Sequence, residues 1–284
     1  TRTLLKRQPV LGGYDPALYC ASREWARAAD GTQVPVSVVR RKDTTGPAPL
    51  LINGYGAYEA SLDPAFSASR LSLLDRGMIV VIAHVRGGGE MGRNWYEDGK
   101  MLAKKNSFTD FVDVARHLVD AGWTVPEKMV ADGGSAGGLL MGAVANLAPE
   151  LFSGILAEVP FVDALTSMLD PELPLTVIEW DEWGDPLHDP DVYRYMSEYS
   201  PYENVTAQPY PAILAMASLN DTRVMFTEAA KWVARLQEST TSGKPVLLRT
   251  EMAAGHGGPT GRYRVWEETA FVYAWILQQS GAVA

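Results

Sequence analysis

The chain has 284 residues, 46% of them hydrophobic, which suits one large domain with a sizeable core. Its 34 Asp and Glu outweigh 25 Lys and Arg to give a formal charge of −9, which argues against nucleic acid and anionic membrane as partners. One cysteine, Cys20, excludes an internal disulfide and fits a reducing, cytoplasmic compartment, and neither a signal peptide nor an apolar run of the ~20 residues a membrane span needs is visible.

Thr1 to Pro16 reads as a linker-like segment ahead of a domain over 17–284, with Gly12-Gly13 and Asp15-Pro16 as breakers. Tyr19 to Arg27 and Val34 to Arg40 alternate apolar and polar residues around Asp30-Gly31, a β-hairpin pattern. After a loop from Lys42 to Pro49, Leu50 to Asn53 reads as a short buried strand ending in Gly54-Tyr55-Gly56. Phe66 to Arg76 is expected to be helical and closed by Gly77. Met78 to His84 is a continuous apolar run, the mark of a strand covered on both faces, and Arg86-Gly87-Gly88-Gly89-Glu90 breaks it. Ser107 to Ala121 carries one apolar stripe at helical spacing. A strand ending at Met129 to Ala131, a helix from Ala136 to Asn146 and a strand over Gly154 to Glu158 follow. Phe161 to Tyr202 is acidic, aromatic and turn-rich, and is expected to cross the active-site face with one or two short helices. The remainder reads as strand (Pro211 to Ser218), helix (Phe226 to Glu238), strand (Val246 to Met252) and terminal helix (Trp266 to Gln279). This alternation predicts an α/β fold with a mainly parallel sheet, helices on both faces and ligands at the carboxyl ends of the strands.

The chemistry centres on Gly133-Gly134-Ser135-Ala136-Gly137, a G-x-S-x-G pattern between a strand end and a helical run. A serine on so tight a turn sits in a strained backbone conformation, and glycine two before and two after removes side chains that would clash. Ser135 Oγ then projects alone, and the N–H of Ala136 at the helix N-terminus points at charge forming beside it. A serine hydroxyl needs a base, and the chain has four histidines: His84, His117, His188 and His256. His256, between glycines in a loop after the last strand, is where this fold places the base; His84, at a strand end, is the rival. Asp221, after the strand from Pro211, completes the order Ser, Asp, His of α/β-hydrolases. Its alternative role is to cap the next helix.

Asn53-Gly54-Tyr55-Gly56, Arg86-Gly87-Gly88-Gly89-Glu90, the Ser135 turn, Asp221-Thr222-Arg223-Val224 and Gly255-His256-Gly257 together resemble the prolyl oligopeptidase family of serine peptidases. Trp95-Tyr96-Glu97-Asp98-Gly99-Lys100, Glu158-Val159-Pro160-Phe161-Val162-Asp163 and Glu182-Trp183-Gly184-Asp185-Pro186 look like its oligopeptidase B branch, which cuts after Arg and Lys. The resemblance covers nearly the whole chain. It implies an α/β-hydrolase catalytic domain with no cofactor and no metal, acting on short peptides through an acyl-enzyme. It implies Tyr55 as second oxyanion donor beside Ala136, and Arg223 as the holder of a substrate backbone oxygen. Each has a bland alternative: core packing for Tyr55, a surface salt bridge for Arg223. Glu179 and Asp181 match two acids that receive a basic side chain at P1, the residue before the cut; the alternative is a solvated acidic loop, and which acid faces the pocket stays open. The chain departs from the branch where Asp63 is kept but Ala65 replaces a second acid that serves P2, so no dibasic preference is expected. The family's β-propeller does not appear in this sequence, and such a domain or chain is the implied partner. An esterase, an acyl-peptide hydrolase or prolyl-specific relative, and an idle binding module are the competing readings; the complete set of triad residue types disfavours the last.

Overall fold

The computed structural model describes residues 3–7 and 9–282, so positions 1, 2 and 8 of the segment expected over 1–16 lie outside the described residues, as do 283 and 284. Eight strands among the described residues form one sheet: β1 (Tyr19–Arg27), β2 (Gln33–Arg41), β3 (Leu50–Asn53), β4 (Ile79–Ala83), β5 (Met129–Gly134), β6 (Gly154–Glu158), β7 (Ala212–Ser218) and β8 (Val246–Glu251). Their spatial order is β1-β2-β4-β3-β5-β6-β7-β8. The β1–β2 hairpin and the β2–β4 pair are antiparallel, and every later pair is parallel. The expected parallel sheet with a leading hairpin is therefore present, as an α/β-hydrolase fold.

The helices are α1 (Leu71–Leu74), α2 (Arg93–Glu97), α3 (Lys105–Asp120), α4 (Ala136–Leu147), α5 (Ala164–Met168), α6 (Thr176–Trp183), α7 (Pro190–Ser197), α8 (Phe226–Ser239) and α9 (Arg262–Ser280). Alternation along the strands divides the core. Ile52, Val81, Ala131, Ile155 and Ile213 face one layer with Phe111, Leu139 and Trp232 of α3, α4 and α8. Leu51, Val80, Val130, Leu156 and Leu214 face the other with Leu73 of α1 and Trp275 of α9. No helix among the described residues is long and apolar enough to cross a membrane.

Three expectations need correction. The helix expected over Phe66 to Arg76 shrinks to the single turn of α1. Phe66 leaves the helical path to pack on Tyr14, with ring centroids 4.9 Å apart, and Arg70 bonds back to the Ala65 carbonyl at 2.9 Å. Only its end behaves as expected: Gly77, at φ +80°, lets Met78 N–H reach the Leu73 carbonyl. The β6–β7 connection holds three short helices, α5 to α7, rather than one or two. The terminal helix starts at Arg262, four residues before the expected Trp266.

Candidate active site

β3 and β5 lie side by side, although β4 separates them in sequence, so the connections leaving their carboxyl ends diverge and open a crevice. Ser135 sits there as the residue before α4, at φ +57° and ψ −116°, a conformation that costs free energy for a residue with a side chain. The flanking glycines are required: a Cβ at Gly133 would run into the Gly137 carbonyl, and one at Gly137 into the Gly54 carbonyl and the Tyr55 ring. Ser135 N–H donates to the Glu158 carbonyl at 2.8 Å, fixing the turn to β6. Ala136 opens α4, where the first N–H groups lack partners within the helix.

His256 comes to this serine from the loop between β8 and α9. Its Nε2 lies 3.1 Å from Ser135 Oγ, and its Nδ1 lies 2.7 Å from Asp221 Oδ2. The Asp221 side chain is 1% exposed and that of His256 20%, so the acid is enclosed while the imidazole stays reachable. Asp221 does not cap α8, which begins five residues later with Met225 in the capping position. Its Oδ1 instead accepts the N–H groups of Arg223 and Val224 at 2.9 and 3.1 Å, leaving Oδ2 aimed at the imidazole. The rival His84 is buried elsewhere, with Nε2 on Ser37 Oγ at 2.8 Å and Nδ1 on Glu90 at 3.2 Å. His188 pairs with Asp185 in an exposed loop, and His117 lies on α3.

Tyr55 follows β3 and reaches the same serine. Gly54 N–H and the Asn53 amide both donate to Asp132 of β5, at 3.2 and 3.1 Å, which registers the tyrosine turn against the serine turn. Burial raises the Tyr55 hydroxyl above its usual pKa, helped by the charges of Glu179 and Glu182; Ser135 and Arg223 act in the opposite sense. A hydroxyl that keeps its proton is a hydrogen-bond donor, the property an oxyanion site needs.

A cavity of about 270 Å³ opens beside Ser135, and Tyr55, Tyr58, Ala136, Glu179 and Arg223 contribute to its walls. Glu179 and Asp181, matched above as a pair, are not brought together. They are two apart on α6, and residues at that spacing point to different sides of a helix. Glu179 lines the cavity, whereas Asp181 is exposed and outside it. The residue sharing a side with Glu179 is Glu182, three further on, which is buried and accepts Tyr58 N–H at 3.0 Å and Tyr96 O–H at 2.7 Å.

Sequence reasoning missed Glu182, Lys104 and Glu228. Lys104 is fully buried, with its ammonium on the carbonyls of Gly56 and Gly99, and burial pulls its pKa down to about 8. It and Glu182 grip the segment that carries Tyr55. Glu228 lines the cavity from α8. Its signal was legible: it lies four before Trp232, so it falls on the buried stripe of that helix, where a carboxylate is out of place.

Comparison with known proteins places these residues in context. A family model described as the prolyl oligopeptidase family matches residues 64–283. The chain is 51% identical over 286 residues to dipeptidyl aminopeptidase BI of Pseudoxanthomonas mexicana, covering 100% of this chain and 39% of that protein. It is 50% identical over 282 residues to protease 2 of Moraxella lacunata, covering 99% of this chain and 41% of that one. The solved oligopeptidase B of Leishmania major superposes with a TM-score of 0.97 at 47% identity, over 99% of this chain and 39% of that structure. The chain thus spans about two fifths of the length of the curated relatives it matches.

Proposed function

The chain belongs to the prolyl oligopeptidase family, and from that premise we propose that it is the catalytic domain of a serine peptidase cutting short peptides after Arg or Lys. The observation that carries the reading is the hydrogen-bonded line Asp221–His256–Ser135 ending beside a cavity lined by Glu179. In this mechanism Ser135 Oγ attacks the scissile carbonyl carbon while His256 Nε2 takes the hydroxyl proton. Asp221 holds Nδ1–H and stabilises the imidazolium. The carbonyl oxygen, now an anion, accepts from Ala136 N–H and Tyr55 O–H. His256 then gives its proton to the departing amine, and water repeats the sequence on the acyl-enzyme. Arg223 holds a backbone oxygen of the substrate. The short span relative to the curated relatives supports a further domain in the whole protein, which the family resemblance gives as a β-propeller.

Tyr55→Phe should lower kcat by about 10²–10³ with little change in KM, because one oxyanion donor is lost only where charge develops. A change confined to KM in steady-state assays would reduce Tyr55 to a substrate contact.

P1 specificity is tested with kcat/KM for Ala-Arg, Arg-Arg, Ala-Phe and Ala-Pro amides. A carboxylate in a closed pocket gains a charge-assisted contact with a guanidinium, and a neutral P1 leaves it unpaired. Glu179→Gln should therefore cost the Arg substrates about 10² and the Phe substrate far less. With Ala65 at the second upstream position, Arg-Arg should do little better than Ala-Arg. A preference for Pro or Phe in the wild type, or an Arg preference untouched by Glu179→Gln, would overturn the P1 assignment. The name of the Pseudoxanthomonas relative favours one refinement, release of dipeptides from a free N-terminus. Acetylating Ala-Arg amide should then abolish its cleavage.

A further inference from the structure

We propose that Glu228 of α8 is a second carboxylate of the P1 pocket, sharing the cationic side chain of the substrate with Glu179 of α6. This inference rests on the P1 reading above and adds to it a residue that neither the family motifs nor helix α6 contains.

The charges facing the buried acids are the first support, Asp132 beside the Asn53 amide being another acid without a cation. Asp110 is buried against Arg86, with Nη2 and Oδ1 at 2.6 Å. Asp163 is paired with Lys231. Glu182 lies within the electrostatic reach of Lys104. Glu228 is 4% exposed, yet the donors that reach it are neutral: Asp163 N–H at 2.9 Å on one oxygen and Ser167 O–H at 2.6 Å on the other. Burying a carboxylate without a countercharge is costly, and a neutral residue of similar volume would serve the packing better. Burial pushes this carboxyl up to about 7, and a guanidinium beside it would draw it back down and hold it ionised.

The cavity is the second support. Glu228 and Glu179 both line the space that begins at Ser135. Glu179 already accepts the indole N–H of Trp183 on Oε2 at 3.0 Å, which limits what it can offer a ligand. A guanidinium presents five N–H donors in a rigid fork, more than the free lone pairs of Glu179 can satisfy. A second carboxylate on another wall supplies the remaining acceptor. The pocket so described suits Arg best, then Lys, whose single ammonium needs fewer acceptors.

The test uses peptidyl-arginine, peptidyl-lysine and peptidyl-phenylalanine aldehydes, which add reversibly to the serine and protect it from a fluorophosphonate probe. Glu228→Gln keeps the shape and an acceptor for Asp163 N–H. It should lower affinity for the Arg aldehyde about 10–100-fold relative to the Phe aldehyde, and for Lys by less. Glu228→Asp, which keeps the charge, should restore part of the Arg preference. Equal losses for Arg and Phe aldehydes, or an Arg preference unchanged in Glu228→Gln, would overturn the inference and leave Glu228 as a tie between α5 and α8. Should Glu228→Gln fold poorly, an Arg-to-Phe ratio in Glu228→Asp no better than that of Glu228→Leu has the same meaning. Glu179→Gln, run alongside, separates the two layers: if it loses the Arg preference and Glu228→Gln does not, only the present inference fails. If neither variant changes it, or the wild type shows none, the P1 reading itself fails.

Discussion

Ser135→Ala is expected to end covalent labelling by a fluorophosphonate and to cut acyl transfer by about 10⁴–10⁶, with the fold intact. The size of the loss follows from the placement of Oγ. It is the atom to which His256 Nε2 is addressed, and the strained turn exists to hold it clear of its neighbours. Stability should survive because the turn's bonds are made by the backbone. Ser135 N–H still reaches the Glu158 carbonyl, and the Ser135 carbonyl still receives Gly138 and Leu139 N–H. The methyl of alanine occupies the space of the serine Cβ. Probe labelling and ester hydrolysis measure the loss, and circular dichroism checks the fold; near-normal turnover in this variant would remove Ser135 from the chemistry.

Asp221→Asn should cost on the order of 10⁴ in kcat, less than loss of the serine but more than any pocket substitution above. The local geometry gives the reason. Oδ1 of the asparagine can keep the N–H groups of Arg223 and Val224, so the side chain stays where it is. The amide nitrogen then replaces Oδ2 and faces His256 Nδ1 at hydrogen-bond distance. A donor at that position forces Nδ1 to be the acceptor, which places the imidazole proton on Nε2. An Nε2 that already bears a proton cannot take one from Ser135, and no carboxylate remains to stabilise an imidazolium. The check is kcat on a good ester substrate together with the ring-proton resonances of His256. A loss below tenfold would show that Asp221 serves the loop and not the base.

The parallel strands were the most legible part of the chain. Runs such as Met78 to His84 lie in a sheet covered on both faces, so their composition alone declares burial. The serine turn was legible because its glycines answer to steric demands within five residues. What escaped was whatever depended on distant partners. Nothing near Phe66 announces that its ring will join Tyr14 and cut short a helix. Glu179 and Asp181 look like a pair only while their segment is read as a loop; helical spacing replaces that pair with Glu179 and Glu182. Asp221 had two plausible roles by sequence, and only the position of α8 relative to the β7 turn separates them. Lys104 could not be foreseen, since its carbonyl partners at Gly56 and Gly99 are set by the tertiary fold.

The three residues of the hydrogen-bonded line are not held with equal firmness. Ser135 stands between β5 and α4, where the strand and the helix are buried along most of their length. His256 hangs from β8, an edge strand, and is followed by a helix whose first six residues, 262–267, are exposed. Gly257 and Gly258 have nothing within 4 Å of where a side chain would begin. Opening free energies in a folded protein track such local coverage, so the corner bearing the imidazole unlatches at a lower cost than the centre of the sheet. On the mechanism proposed above, activity would follow the closing of that peripheral corner, and a molecule folded by every global criterion could still leave Ser135 without His256.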